Sequence, residues 1–117
     1  MRAFHGRATA KKGGGLNGLE QRYADHLEQQ RQDGFIAMWM AHPFSLRLAK
    51  GTHYEPDFLV VRNGDMTVEI HEVKGFMHRV GQAKLKIAAE RFPFRFLLVK
   101  RRLVRDGGGW ELTEVGT

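Results

Sequence analysis

The feature that most constrains this chain is a four-residue break, Arg62-Asn63-Gly64-Asp65, set between two strand-forming runs. Before it, Phe58-Leu59-Val60-Val61 is unbroken apolar sequence; after it, Thr67 to Lys74 alternates β-branched with polar residues, as a strand with two different faces does. Asn-Gly takes the positive φ angles of a two-residue hairpin turn at little cost. The pattern predicts two antiparallel neighbours, with Arg62 facing Asp65 and, counting outward, Asp57 opposite Ile70. Side chains alternate with period two, so Asp57, Glu72 and Lys74 share one face and His71 points to the other. Diagonal neighbours on one face lie roughly 7–8 Å apart, near enough for two carboxylates to converge on one hard cation. A slip of one residue at Gly64 would send the two acids to opposite faces.

Helical patterns flank this hairpin. Asn17 is placed to cap a helix over about residues 18–32, with Glu20 at its third position, an apolar stripe of Leu16, Leu19, Tyr23 and Leu27, and Gly34 as its stop. Val80 to Phe92 repeats apolar residues at helical spacing until Pro93, and Phe94 to Val99 reads as a buried strand running into Lys100-Arg101-Arg102. Phe35 to Ala49 is apolar but interrupted at His42-Pro43, which predicts two extended pieces of one bent edge. His53 to Val61 reads as one strand, and Trp110 to Val115 as a short edge strand or a loose tail. The order of helix, strands, hairpin, helix and strand predicts an α/β fold with a mixed sheet.

Composition narrows the class. Of 117 residues 42% are apolar, which suits one domain with a real core, and there is no cysteine, which removes disulfides, thiolate metal sites and a cysteine nucleophile. No apolar run is long enough for a membrane span, and the first residues lack the apolar stretch of a secretory signal, so a cytoplasmic protein is expected. The net charge of +6 is segregated: residues 1–15 carry +4, 16–73 carry −4, 74–105 carry +9 and 106–117 carry −3. Clustered Lys and Arg suit a polyanionic partner through release of phosphate counterions; a solvated basic surface is the competing account. Residues 1–15, ending Lys11-Lys12-Gly13-Gly14-Gly15, read as a flexible basic arm, 16–105 as the domain, and 106–117 as a glycine-rich turn with its edge strand or tail. The six histidines show no ligand spacing on one element, so zinc is not expected. Trp39, Trp110, Met38 and Met40 are read as core.

Pro56-Asp57, fourteen intervening residues and Glu72-Val73-Lys74, preceded by a helical Glu20, resemble the PD-(D/E)XK nuclease superfamily. The context Tyr54-Glu55-Pro56-Asp57-Phe58, His71-Glu72-Val73-Lys74-Gly75 and a helix bearing Gln82, Lys84 and Lys86 is most similar to small phage-encoded endonucleases related to Holliday-junction resolvases. The likeness spans about residues 16–100. It implies a restriction-endonuclease-like αβββαβ core with a central mixed sheet flanked by helices, and metal-dependent hydrolysis of DNA to 5′-phosphate and 3′-hydroxyl ends. It also implies Asp57 and Glu72 as ligands of Mg²⁺, with Mn²⁺ able to substitute, Lys74 beside the attacking water, and Glu20 as a further ligand. A phosphodiester repels nucleophiles through its own charge, which a carboxylate-held cation offsets.

Lys84 lines the site by resemblance alone; Lys11, Lys12, Lys86 and Arg79 are candidate phosphate contacts by charge. DNA is the expected partner, the cytoplasm of a host cell the expected place for a phage-encoded enzyme, and a homodimer is allowed. Structural readings compete at each site residue: Asp57 as a strand-start acid, Glu72 and Lys74 as an ion pair, Glu20 as the capping partner of Asn17, and His71 as a packed or surface histidine. Two other functions stay open, a nucleic-acid-binding module of the same fold that does not cut and a site-specific restriction or transposition-type nuclease.

Overall fold

The computed structural model describes residues 16–75 and 79–116. The basic arm with Lys11 and Lys12 lies outside the described residues, and of Arg79 only the backbone is described. Helix α1 spans Gly18–Gln32 and opens on a complete capping box: the Asn17 side chain accepts the Glu20 N–H at 2.8 Å, and the Glu20 carboxylate accepts the Asn17 N–H at 3.4 Å. Its apolar stripe buries Tyr23, Ala24 and Leu27. Next come β1 (Ile36–Ala41), β2 (Leu46–Ala49), β3 (Thr52–Tyr54), β4 (Phe58–Arg62), β5 (Val68–Val73), α2 (Arg79–Arg91), β6 (Arg95–Arg101) and β7 (Trp110–Val115).

Five strands form one mixed sheet in the order β1-β4-β5-β6-β7. β5 and β6 are parallel, joined across α2, and the other pairs are antiparallel. Strand alternation divides the core in two. On one face Tyr23, Ala24 and Leu27 of α1 pack on Trp39, Phe58, Val60, Val73 and Val99. On the other, Leu85 and Ala88 of α2 pack on Ile70 and Phe96. The sheet is thus flanked by one helix on each face, the arrangement that hides both sides of its apolar middle. Trp39 is buried with its indole N–H satisfied, donating to the Glu28 carboxylate at 2.9 Å. Arg31 heads the groups that hold the Glu28 carboxyl down to about 2.

Four expectations need correction. First, β1 and β2 are not one bent edge: β1 belongs to the main sheet, while β2 pairs with β3 in a separate two-stranded sheet. His42 leaves β1 at φ +45°, a left-handed conformation, and Pro43 has no N–H for a ladder, so the chain turns out of the sheet there. Second, the strand expected over 53–61 is broken at Glu55-Pro56-Asp57, which links the small sheet to the large one.

Third, the hairpin loop is four residues, not two. Phe58 pairs with His71 and Leu59 with Ile70, and the Arg62 N–H donates to Thr67. Asn63 is diverted into a tertiary contact, its side chain donating to the Gly34 and Ile36 carbonyls, and Asp65 accepts the Thr67 N–H at 2.9 Å in an Asx turn. Gly64 keeps the positive φ, at +90°. The shift is two residues, so faces are preserved. Fourth, Met38 and Met40 are half-buried, on the opposite face of β1 from Trp39, whereas Trp110, half-buried, packs on the core through Tyr23 as expected. The C-terminal segment is an edge strand, β7, paired along its whole length with β6.

Candidate functional site

The site forms at one end of the main sheet's strands, where the N-terminus of α1, the end of β1, the start of β4 and the C-terminal end of β5 meet. Asp57 directly precedes β4, and the observed register carried one residue further sets it across from Glu72. It is buried at 4% exposure, and its carboxylate accepts the Val73 N–H at 2.8 Å. A buried carboxylate needs such a partner, and this one aims the acid at β5. The Asp57 carbonyl in turn accepts the His42 N–H at 2.8 Å, tying the start of β4 to the end of β1.

Glu72 is half-buried on β5 and accepts a 2.5 Å hydrogen bond from the Tyr54 hydroxyl. Burial first, and then the Glu72 charge, push the Tyr54 phenol far above its ordinary value, so it remains a donor. Glu20 completes the acidic group from α1. Asn17, Glu20, Asp57, Glu72, Val73 and Gly75 are among the residues that line one cavity of about 470 Å³. Behind Glu20 stands His42, its Nε2 3.7 Å from the Glu20 carboxylate and its side chain almost covered.

A second, larger cleft of about 820 Å³ adjoins the first at Glu72 and Val73. His53, Tyr54 and Glu55 line one side, Lys74 the strand end, and Val80, Gly81 and Lys84 the helix side. Lys74 follows β5, its N–H donating to the Val99 carbonyl at 2.8 Å, which holds the chain end in line with β6. The structure therefore brings Glu20, Asp57 and Glu72 to one cavity, and Glu72, Lys74 and Lys84 to a second that shares Glu72 and Val73 with it. It leaves Lys86 exposed on α2, away from the lining. Arg79 is the first residue of α2.

Among the described residues no three acidic or histidine side chains are drawn tightly enough together to hold a metal ion as they stand. The donor chemistry fits Mg²⁺ nonetheless. Mg²⁺ is characteristically held by one or two carboxylates, with water and substrate phosphate completing its shell. Asp57 and Glu72 would supply that pair.

His71 lies on the opposite face, as strand parity predicts. It is 3% exposed and sits between Tyr23 and Glu69: its Nε2 is 2.9 Å from the Glu69 carboxylate and its Nδ1 2.6 Å from the Tyr23 hydroxyl. With Glu69 ionised, Nε2 carries the proton and Nδ1 accepts from Tyr23. Burial lowers the His71 pKa, in keeping with this neutral form. Burial pushes the Glu69 carboxyl up, but His71 and Arg95 outweigh it and hold it below its ordinary value.

Two residues of the site escaped the sequence reading. Tyr54 was visible as part of the acidic motif's context, but its bond to Glu72 depends on the small sheet folding back. His42 was visible only as part of the His42-Pro43 interruption. No helix among the described residues is long and apolar enough to cross a membrane. No protein-family model, no curated protein and no solved structure matches this chain.

Proposed function

We propose that the chain is a metal-dependent DNA endonuclease with a restriction-endonuclease-like core of the PD-(D/E)XK type. The observation that supports this most is the meeting of Glu20, Asp57 and Glu72 around one cavity, with Glu72 also lining a neighbouring cleft together with Lys74 and Lys84. Acids and cations separated in this way suit a phosphodiester: carboxylates on the side where a cation is needed, ammonium groups where phosphate oxygens gather charge. The main-sheet order α1-β1-β4-β5-α2-β6 also follows the αβββαβ arrangement, with β2 and β3 as an insertion.

Asp57 and Glu72 would hold Mg²⁺ or Mn²⁺, with Glu20 reaching the same cavity. The ion would supply charge neutralisation at the phosphate and a more acidic water. The residues themselves do the positioning. Val73 holds the Asp57 carboxylate and Tyr54 the Glu72 carboxylate, so both acids are oriented before substrate arrives. Lys74, two residues beyond Glu72 on the same side of the strand, stabilises the attacking oxygen and the crowded phosphoryl group. Lys84 binds a neighbouring phosphate from the helix side.

The test is purified protein with supercoiled, linear, single-stranded and four-way-junction DNA, with Mg²⁺, with Mn²⁺ and with EDTA. Cleavage leaving 5′-phosphate ends, lost in EDTA and in Asp57→Asn, is the expected result. Specific binding without cleavage in either metal would assign the chain to the non-cutting module of the same fold.

A further inference from the structure

The loop between β6 and β7 has a composition that neither the core nor the catalytic cleft accounts for. Leu103 is 56% exposed and Val104 86%, the latter opening a 3₁₀ turn over Val104–Asp106. Exposed Lys100, Arg101, Arg102 and Arg105 flank them in sequence. A scattered exposed leucine or valine is ordinary. Two adjacent at the opening of one turn, with Arg101, Arg102 and Arg105 beside them in sequence and Asp106 as the one acid of the turn, are not.

The turn has a defined shape. The Arg102 N–H donates to Gly109 at 2.9 Å, the Gly108 N–H to Leu103 at 2.8 Å, and the Gly107 N–H to Val104 at 3.0 Å. Gly107, Gly108 and Gly109 all have positive φ, a reversal that side-chain-bearing residues rarely follow. The apolar pair is therefore carried on a hydrogen-bonded tip.

The tip also has a defined place. β6 runs parallel to β5, with Val99 beside Val73, so its C-terminal end lies at the same end of the sheet as Lys74. Leu103 is four residues past Val99, at most about 13 Å along the strand direction at roughly 3.3 Å per residue. That is about four base-pair steps of 3.4 Å.

We propose that the β6–β7 tip is a wedge: Leu103 and Val104 insert at an unstacked base step while the flanking Lys and Arg side chains hold the phosphates on either side. This rests on the endonuclease reading for the identity of the partner and deepens it by naming what selects the substrate. Apolar wedges between base steps work in this way, with cations fixing the backbone around the distortion. Unstacking costs least where pairing is already interrupted, so the wedge favours DNA branches over continuous duplex.

The experiment uses the full chain with a four-way junction and a linear duplex of matching sequence. Both carry 2-aminopurine, with Ca²⁺ replacing Mg²⁺ to hold off cleavage. Wild type should bind the junction more tightly and raise 2-aminopurine fluorescence next to the branch. Leu103→Ser/Val104→Ser, at exposed positions that leave the thermal midpoint unchanged, should lose the fluorescence rise and lower the junction-to-duplex affinity ratio about tenfold. An unchanged ratio and fluorescence in a wild-type background that cleaves DNA would overturn the wedge alone. Absence of any DNA binding or cleavage by wild type would overturn the wedge and the nuclease reading together. The same apolar-basic composition also suits an anionic lipid surface. Binding of wild type to phosphatidylserine vesicles, abolished in the double variant while its junction preference stays intact, would assign the tip to lipid and overturn the proposal.

Discussion

Strand β5 carries an acid on each of its faces, and the two are treated oppositely. Glu69, on the α1 face, is fully buried, and both its oxygens are engaged: His71 at 2.9 Å on one and Arg95 at 2.8 Å on the other, with Arg62 3.9 Å away. Tyr23 closes the network above, and Glu114 extends it to the edge strand through Arg95. Glu72, on the α2 face, is held by Tyr54 but lines two cavities, one of them together with Lys74. A buried charge whose partners complete its shell stabilises a particular packing; a half-buried charge that lines a cavity can be reached from outside the packing. The comparison teaches that the environment of an acid, more than its spacing from other acids, separates the structural role from the functional one.

The comparison breaks most decisively on the open face. Asp57→Asn or Glu72→Gln should lower DNA cleavage by more than about 100-fold, beyond the 10- to 100-fold that loss of an outer-shell partner costs, while DNA affinity stays within a few fold. Initial cleavage rates beside filter-binding affinities measure this. Wild-type turnover by either variant would remove the metal-site assignment.

On the closed face the effect should appear in stability instead. Glu69→Ala leaves His71 without its acceptor and Arg95 without its main partner. We expect a loss of about 3 kcal/mol, or roughly 10 °C in thermal midpoint, the low end for a broken buried pair because Arg95 and Arg62 reach water. Cleavage per folded molecule should be preserved. Loss of activity at an unchanged midpoint would invert the two roles.

Acid should reveal the same face. The His71 pKa is lowered in the folded state by burial, and that of His26 by burial and by His71. The unfolded chain therefore binds these protons first, and stability falls as pH drops below about 6.5. Thermal midpoints across pH 8 to 5 should decline below that value, and His71→Gln should flatten the decline, leaving the part owed to His26. An equal slope in the variant would place the titration elsewhere.

The smallest effect sharpens the boundary between the faces. Glu20 both caps α1 and lines the acidic cavity. Gln at this position still accepts the Asn17 N–H but carries no charge. Glu20→Gln should keep the thermal midpoint and lower the cleavage rate about tenfold, as loss of a carboxylate from the ion's surroundings does. An unchanged rate would leave Glu20 as a cap alone.

Much of this was legible from residue order, and the reasons differ by element. Helix α1 could be bounded at both ends because capping box, apolar stripe and terminal glycine are local signals that agree. The turn type could not be read, because Asn63 was drawn away by carbonyls of Gly34 and Ile36, nearly thirty residues earlier in the chain. The face assignment of Asp57, Glu72, Lys74 and His71 survived that error because the register moved by an even number of residues.

By itself the sequence determined what depends on period and on neighbours a few residues apart: helix α1, the hairpin strands, the face on which each acid stands, and the segregation of charge. Only the tertiary structure decided what depends on distant segments meeting. It split β2 and β3 into their own sheet, brought Tyr54 to Glu72 and Glu20 to Asp57, and closed Tyr23, His71, Glu69 and Arg95 into one network. It also carried the Leu103-Val104 tip to the end of the sheet that bears the cleft. The physical reason is that a side chain's direction follows from its own backbone, while its partner is set by chain closure and burial over the whole domain.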